Sequence, residues 1–282
     1  MDQHLNPKYL QYLALKYGLK PSRNYGQNFL MDESVIDKII ALSNVDGTDT
    51  VIEIGPGFGV LTRSLAARAG RVISFEIEKK LKPYWDETQK EFPNLEVNWG
   101  NVLKTFPGIA KDLPEHYKVV ANLPYQITSA AIRMFLESPR PPAHLTLMVQ
   151  KEVGERICAK PGDMSLLSVA VQYFAEPKLE IVVPSGSFWP PPKVDSAVIS
   201  LKMNKIKKNV DEKRFFSLVK SGFTARRKLL MRNLQGFVKK DDKKELAGIF
   251  QKLGLKNTAR AQELSVETWL KLLIEIDQLQ KN

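Results

Sequence analysis

The 282-residue chain is poor in cysteine and histidine. Cys158 is the only cysteine, so no internal disulfide can form; this fits a reducing compartment, and we expect a cytoplasmic protein. The three histidines are scattered along the sequence, so no metal site is expected. No apolar run approaches the length of a membrane span, and the first twenty residues lack the apolar segment of a secretion signal. We therefore expect no membrane partner.

The sequence also lacks an excess of acidic residues, and its formal net charge is +11. Residues 1–201 contain 22 Lys and Arg against 22 Asp and Glu, whereas residues 202–282 contain 20 against 9. The whole positive excess thus lies in the last third of the chain. Such asymmetry favours a polyanionic partner, although a basic segment can also serve solubility alone.

The stretch from Val51 to Gly59 is typical of a nucleotide-binding turn. Val51–Ile54 reads as a buried strand that contains one carboxylate, Glu53, and glycines follow at positions 55, 57 and 59. Helical spacing resumes at Val60. Strand, glycine turn and helix form the first unit of a Rossmann-like fold. The glycine spacing departs from the dinucleotide fingerprint and resembles the S-adenosylmethionine loop of class I methyltransferases; the alternative is an ordinary turn.

Glu76 strengthens the cofactor interpretation. It lies near the end of the next predicted strand, Arg71–Ile77, and stands 21 residues after Gly55. An acidic residue about 20 residues after such a turn binds ribose hydroxyls in the related dinucleotide fold. The alternative is a solvated strand end. We therefore expect S-adenosylmethionine to bind at this edge of the sheet.

Alternating strands and helices continue to about residue 203 and predict a parallel twisted sheet with helices on both faces. Strands are predicted at 95–98, 118–121, 144–150, 179–183 and 196–203, and helices at about 35–42, 78–90, 127–136, 151–159 and 165–175. A charged connector at 205–209 is followed only by helical patterns. We therefore predict a methyltransferase domain over 1–208 and a small all-α domain over 209–282.

Asn122-Leu123-Pro124-Tyr125 follows a predicted strand and resembles the motif of methyltransferases that modify exocyclic amines of bases. The lone pair of an adenine amine is delocalised into the ring, so the amine is a poor nucleophile. The Asn122 side-chain oxygen and the Leu123 carbonyl would accept from the amine and stabilise developing positive charge. Pro124 would keep a donor away, and Tyr125 would stack on the base. The alternative is an ordinary turn.

Phe188–Ser196 contains three consecutive prolines, which predict a stiff, extended segment that would hold Phe188 over the cleft. The alternatives are a rigid loop or a peptide ligand. The loop at Tyr25–Leu30 offers two carboxamides, Gln27 and Asn28, which would serve either a local turn or a ligand.

Over nearly its whole length the chain resembles the small-subunit ribosomal RNA adenine dimethyltransferases. The resemblance is carried by residues 26–30, 53–57, 122–125, 150–153, 188–196 and 223–228. It implies a class I methyltransferase fold, a Rossmann-like twisted sheet with a small all-α C-terminal domain. It further implies transfer of methyl groups from S-adenosylmethionine to N6 of two adjacent adenines near the 3′ end of small-subunit ribosomal RNA. The implied partner is that RNA within an immature 30S-type subunit, and a monomer is expected.

The resemblance also assigns roles to individual residues. The adenine would be held by the four motif residues Asn122, Leu123, Pro124 and Tyr125 together with Phe188. The cofactor would contact Gln27, Asn28, Leu30, Glu53, Gly55, Gly57, Glu76, Ile77, Asn101 and Asn122. Ribosomal RNA would contact Arg226, Arg227, Lys228 and Arg232 through its phosphates.

Three stretches depart from the pattern of the family. Gly100-Asn101 replaces the usual Gly-Asp, which would weaken cofactor binding because the amide is uncharged. Met164–Ser168 replaces a stretch that carries a cation, and Arg23-Asn24-Tyr25 is less basic than usual. Two alternatives stay open: a resistance-type methylase of large-subunit ribosomal RNA, and a non-catalytic assembly factor that binds ribosomal RNA.

Overall fold

The computed structural model describes residues 3–21, 27–204, 210–225, 227–238 and 245–280. Gly26, the segment 23–25 and Arg226 lie outside these ranges. By contacts the chain forms two units, residues 1–154 with 177–203, and residues 155–176 with 204–282.

The first unit contains most of the helices and strands. Its helices are α1 (Pro7–Lys16), α2 (Glu33–Ser43), α3 (Val60–Ala66), α4 (Lys82–Thr88), α5 (Val102–Ile109), α6 (Thr128–Leu136) and most of α7 (Lys151–Ile157). Its strands are β1 (Phe29–Leu30), β2 (Thr50–Ile54), β3 (Arg71–Glu76), β4 (Leu95–Trp99), β5 (Lys118–Asn122), β6 (His144–Gln150), most of β7 (Ala175–Val183), β8 (Phe188–Trp189) and β9 (Ser196–Met203). As expected from its side chain, Asp32 caps α2 by accepting from the N–H groups of Ser34 and Val35.

Seven strands form one sheet in the order β4-β3-β2-β5-β6-β9-β7. From β4 to β6 all neighbours are parallel, whereas β9 runs antiparallel to β6. The parallel sheet predicted from the alternation of elements is therefore found from β4 to β6, and the prediction is wrong for β9. The strand order reverses between β2 and β5, and open sheets of this class bind ligands at such a reversal.

Helices pack on both faces of the sheet, as predicted. Val72 of β3 belongs to a buried cluster with side chains of α1 to α4. Phe75, three residues later on the opposite face, lies 6.3 Å from the Phe106 ring of α5, which in turn lies 4.7 Å from Phe135 of α6. Side chains alternate between the faces of a strand, so β3 is buried on both sides.

The second unit is helical and has its own core. It contains α8 (Leu166–Phe174), α9 (Glu212–Gly222), α10 (Leu230–Leu234), α11 (Leu246–Lys252) and α12 (Val266–Leu279). Val169 and Tyr173 of α8 share one buried cluster with Phe215 of α9 and Trp269 of α12. The contacts thus group residues 155–176 with the C-terminal helices, whereas the sequence pattern places them in the first domain; the division at residue 208 stays a prediction.

Candidate active site

A cavity lies where β2, β3 and β5 end. Its walls include all ten residues predicted to contact the cofactor: Gln27, Asn28, Leu30, Glu53, Gly55, Gly57, Glu76, Ile77, Asn101 and Asn122. The ends of β2 and β5 flank the reversal of strand order, and a Cβ built on Gly55 would lie 3.7 Å from Pro124 Cγ. Segments that are distant in the sequence therefore converge on one cavity.

The glycine turn needs glycines because its backbone is left-handed. Gly55, Gly57 and Gly59 have φ values of 69°, 55° and 80°. A Cβ on Gly57 would approach the Phe29 ring to 2.8 Å, which is closer than real contacts allow. The turn thus requires both the permitted φ and the missing side chain.

Two aromatic residues of α4 hold the glycine turn, and sequence patterns gave no indication of this role. The Trp85 Nε1–H donates to the Gly57 carbonyl at 3.0 Å, and the Tyr84 hydroxyl donates to the Phe58 carbonyl at 2.7 Å. Both side chains are buried. Their helical spacing alone predicts only core residues, because both donors reach 26 or more residues back along the chain.

Glu76 ends β3 with its carboxylate against the glycine turn. The carboxylate accepts from the Gly57 N–H at 3.2 Å and from the Glu78 N–H at 2.7 Å. The residue is only 5% exposed, and this burial raises the pKa of Glu76 to about 7. A buried carboxylate at the cavity wall is suited to accept from ligand hydroxyl groups.

Glu53 is a second buried carboxylate of the cavity wall, 2% exposed. The pKa of Glu53 is raised to about 7, mainly by burial and to a smaller extent by the charge of Glu76, while the hydrogen bond from Ser74 Oγ at 2.6 Å acts in the opposite direction. Isolated buried carboxylates are costly, so a site with two of them favours a ligand that brings a positive charge or several donors.

Asn101 caps a helix beside the cavity. Its side-chain oxygen accepts from the Leu103 N–H at 3.0 Å and so begins α5, a helix that the sequence analysis did not predict. An asparagine satisfies this N-cap as well as an aspartate would. The replacement of the usual aspartate therefore preserves the local backbone and changes only the charge at the cavity wall.

Asn122 ends β5 with an ordered side chain. Its Nδ2 donates to the Asn28 carbonyl at 3.3 Å, which turns the side-chain oxygen away from that loop. Pro124 also lines the cavity, whereas Leu123 is buried and Tyr125 is partly exposed beside it. The Leu123 N–H donates to the Met148 carbonyl at 3.0 Å and fixes the motif to β6.

Phe188 lies in a two-stranded antiparallel ribbon with the loop that lines the cavity. β1 pairs with β8, so Leu30 stands opposite Phe188 and Phe29 opposite Trp189. Ser187 Oγ donates to Asp32 at 3.1 Å, and the Met31 N–H donates to the Ser187 carbonyl at 2.8 Å. Phe188 is 2% exposed and is absent from the cavity wall, so its contact with a base stays a prediction.

A family comparison identifies the chain. The model of the family described as ribosomal RNA adenine dimethylase matches residues 18–278. The chain belongs to this family. The curated ribosomal RNA small subunit methyltransferase A of Dehalococcoides mccartyi strain CBDB1 is 43% identical over 264 residues, which cover 92% of this chain and 89% of that protein. The protein of the same name from Alkaliphilus oremlandii is 40% identical and covers 95% of this chain and 96% of its own length.

Solved structures of similar proteins share the fold. A dimethyladenosine transferase from Plasmodium falciparum is 27% identical, with a TM-score of 0.77, over 89% of this chain and 98% of that one. The 23S rRNA methyltransferase ErmE is 30% identical, with a TM-score of 0.73, over 89% of this chain and 100% of that one. The Rossmann-like methyltransferase fold expected from the sequence is thus confirmed.

The basic residues that this dimethylase was predicted to use for RNA lie in the second unit. Arg227, Lys228 and Arg232 are exposed, and no ion pair involves them among the described residues; Arg226 lies outside those residues. Asn233 Nδ2 donates to the carbonyls of Gly222 and Ala225 and thereby fixes the turn before Arg227. Arg227 and Lys228 thus shortly precede α10, and Arg232 lies within it.

The stretch Met164–Ser168, which lacks the family's usual cation, forms the start of α8. Ser165 Oγ accepts from the Ser168 N–H at 3.2 Å, and Ser168 Oγ accepts from the Ser165 N–H at 2.9 Å. This reciprocal pair is a capping box. The stretch that lacks the family's usual cation thus supplies the N-terminal cap of α8.

None of the described helices is both long and apolar enough to cross a bilayer. Within the same residues, no group of three or more His, Cys, Asp or Glu side chains is arranged to hold a metal ion.

Proposed function

We propose that this protein transfers methyl groups from S-adenosylmethionine to N6 of two adjacent adenines near the 3′ end of small-subunit ribosomal RNA. The observation that carries the proposal is the position of Asn122, at the wall of the cavity that also contains the glycine turn and Glu76. The names of the curated relatives support the small-subunit substrate.

The cavity fits S-adenosylmethionine by the chemistry of its walls. Glu76 offers carboxylate oxygens to ribose hydroxyls, and the glycine turn admits an amino-acid moiety beside the buried carboxylate of Glu53. Ile77 is 47% exposed and offers an apolar surface to an adenine ring. When bound, S-adenosylmethionine supplies an electrophilic methyl group on its sulfonium sulfur.

The motif residues hold the target amine. Because Asn122 Nδ2 is engaged by the Asn28 carbonyl, its Oδ1 is the atom left to accept from the N6 amino group. Together with the Leu123 carbonyl it would draw the amine toward tetrahedral geometry and stabilise the positive charge that develops on nitrogen. Pro124 brings no N–H to this place. These acceptors and the alignment of the amine supply the rate without a strong base.

The cations of the second unit would bind ribosomal RNA through phosphates, which contributes affinity without reading sequence. The substrate would be the RNA of an immature 30S-type subunit, met by a monomeric enzyme in the cytoplasm. A role in the biogenesis of that subunit follows from such a substrate.

Replacement of Asn122 by alanine tests the proposal. We expect transfer of labelled methyl to fall by at least about 100-fold, as when one preorganised hydrogen-bonding group is removed from an active site. Binding of RNA should be almost unchanged. Asn98→Ala is the matched control, because Asn98 lies in β4 at the edge of the same sheet, bonds to Glu96 and is absent from the cavity wall.

The assay should compare naked small-subunit RNA, immature small subunits and large-subunit RNA, followed by primer extension. Modification of large-subunit RNA instead would favour the resistance-type methylase, for which the similarity to ErmE is the supporting observation. RNA binding without any methyl transfer would favour a non-catalytic assembly factor. Full activity of Asn122→Ala would reject the proposed amine geometry.

A further inference from the structure

The hydroxyl group of Tyr125 has a partner that the proposed mechanism does not use. It lies 2.7 Å from Ser196 Oγ, and the two residues are 71 positions apart in the sequence. Tyr125 is in the short turn that follows Pro124, whereas Ser196 is the first residue of β9. The bond therefore joins the predicted base-binding motif to the sheet.

Ser196 is buried, and hydrogen bonds hold the backbone around it. Its side chain is 0% exposed, and it pairs with Gln150 across the β6–β9 ladder. The preceding residue, Asp195, accepts from the Lys151 N–H through its carbonyl and from the Ser185 N–H through its side chain, both at 3.0 Å. The backbone that carries the serine hydroxyl is thus held in place at Asp195 and Ser196.

Tyr125 is held at its other end by the turn. The Ile127 N–H donates to the Pro124 carbonyl at 3.1 Å, and Leu123 is tied to Met148. A tyrosine side chain has two rotatable bonds, so fixing the backbone and the hydroxyl leaves the plane of the ring little freedom. A ring that is already oriented loses less entropy when a base stacks on it.

From this geometry we infer that Ser196 is a positioning residue for methyl transfer, which acts by holding the Tyr125 ring in the plane that receives the target base. The inference rests on the proposed function, since it requires a base to stack on Tyr125. Ser196 is fully buried whereas Tyr125 is partly exposed, so Ser196 acts on the substrate only through the tyrosine.

The two hydroxyl groups can be removed one at a time. Ser196→Ala and Tyr125→Phe each remove the bond and keep the aromatic ring, which is then free to leave its plane. Both should lower kcat by about tenfold, less than the roughly 100-fold that a misplacement of about 1 Å can cost. The dissociation constant of S-adenosylmethionine should be unchanged in both variants. The double variant should be no slower than either single one, because both changes remove the same bond.

Ser200→Ala is the matched control. Ser200 lies in the same strand and donates to Glu180 at 2.6 Å, but it is absent from the cavity wall and from the motif. We expect wild-type kcat in this variant. A thermal melt of each variant separates lost folding from lost positioning, and Tyr125→Phe tests the inference even if Ser196→Ala fails to fold.

Three outcomes would overturn the inference: unchanged kcat in both single variants, a double variant whose losses multiply, or an equal loss in Ser200→Ala.

Tyr125→Ala distinguishes failure of the positioning role of Ser196 from failure of the proposed function. If Tyr125→Ala is inactive while Ser196→Ala and Tyr125→Phe are normal, the stacking role survives and only the positioning role of Ser196 is rejected. If Tyr125→Ala is fully active, stacking on Tyr125 is rejected, and the inference falls with it.

Discussion

Two carboxylates, Glu53 and Glu76, are buried at the wall of one cavity, and their pKa values are raised to about 7 mainly by burial. Burying an ionised carboxylate in an empty site costs free energy, and hydrogen-bond donors of a bound ligand offset this cost. Because the folded state holds these protons more tightly than the unfolded state, the free energy of unfolding of the ligand-free protein should decrease as the pH rises from about 4.5 to about 7. The two buried carboxylates therefore destabilise the ligand-free protein most at neutral pH and above.

Glu76 should make cofactor affinity depend on pH. Ribose hydroxyls donate to the ionised carboxylate, which predominates above the folded pKa of about 7. We expect the dissociation constant of S-adenosylmethionine, measured by calorimetry, to fall between pH 6 and pH 8, by at most about tenfold per pH unit for one ionisation.

Glu76→Gln removes this ionisation, so the variant should bind more weakly and show a flatter pH profile, with the remaining slope due to Glu53. Glu96→Gln is the control, since Glu96 is exposed and paired with Arg71. A profile of Glu76→Gln parallel to that of the wild type would contradict the ribose role.

At the scale of elements, the glycine turn is held from several sides. Trp85 and Tyr84 bond to its carbonyls, Glu76 accepts from Gly57, and Phe29 of β1 packs against it. The turn is therefore one rigid part shared by β2, β3, α4 and β1. A change inside it should disturb both folding and ligand binding.

Gly57→Ala tests the rigidity of the turn. The new side chain would adopt a φ of 55° and press within 2.8 Å of Phe29, so we expect a loss of about 1–3 kcal/mol in unfolding free energy. Cofactor affinity should fall as well. Gly47→Ala is the control, because a Cβ there meets nothing within 4 Å. Equal thermal melting and equal affinity of the two variants would show that the turn adapts.

The sequence predicts those elements whose patterns are local. Strand β6 has the predicted bounds. The sequence pattern did not predict helix α5, because Pro107 and Gly108 both disfavour a helix interior. The two-residue strands β1 and β8 are too short to show a period, and their pairing joins segments about 160 residues apart.

Within the candidate site, too, only local patterns could be predicted from the sequence. The glycine turn directly follows a strand, and Glu76 and Asn122 each end one, so all three are recognisable. The Trp85–Gly57 and Tyr125–Ser196 hydrogen bonds are not, since the spacing between their partners depends on how the sheet is ordered. Side chains that support a site through the fold leave no local signal.

At the scale of the whole molecule, charge is segregated along the chain. The excess of +11 belongs entirely to residues 202–282, while the part that contains the cavity is neutral. Within the described residues of the second unit, Arg214, Lys252 and Lys271 are paired with acidic side chains, whereas Arg227, Lys228 and Arg232 are not. These three exposed cations are therefore available to phosphates.

Replacing Arg227, Lys228 and Arg232 together by alanine should weaken RNA binding and reduce its salt dependence. Each lost phosphate contact should lower the slope of log K against log salt by about 0.7–0.9. Filter binding of small-subunit RNA across a series of KCl concentrations measures the slope. The double variant Lys252→Ala, Lys271→Ala is the control; an identical slope in the triple variant and the wild type would argue against these contacts.

The pairing of β1 with β8 has a consequence for synthesis. The loop at residues 27–30 emerges early, but its strand partner, and the serine that bonds to Asp32, are contributed by residues 187–189. A nascent chain shorter than about 190 residues cannot close this ribbon. One wall of the cavity is therefore completed only once residues 187–189 have been made.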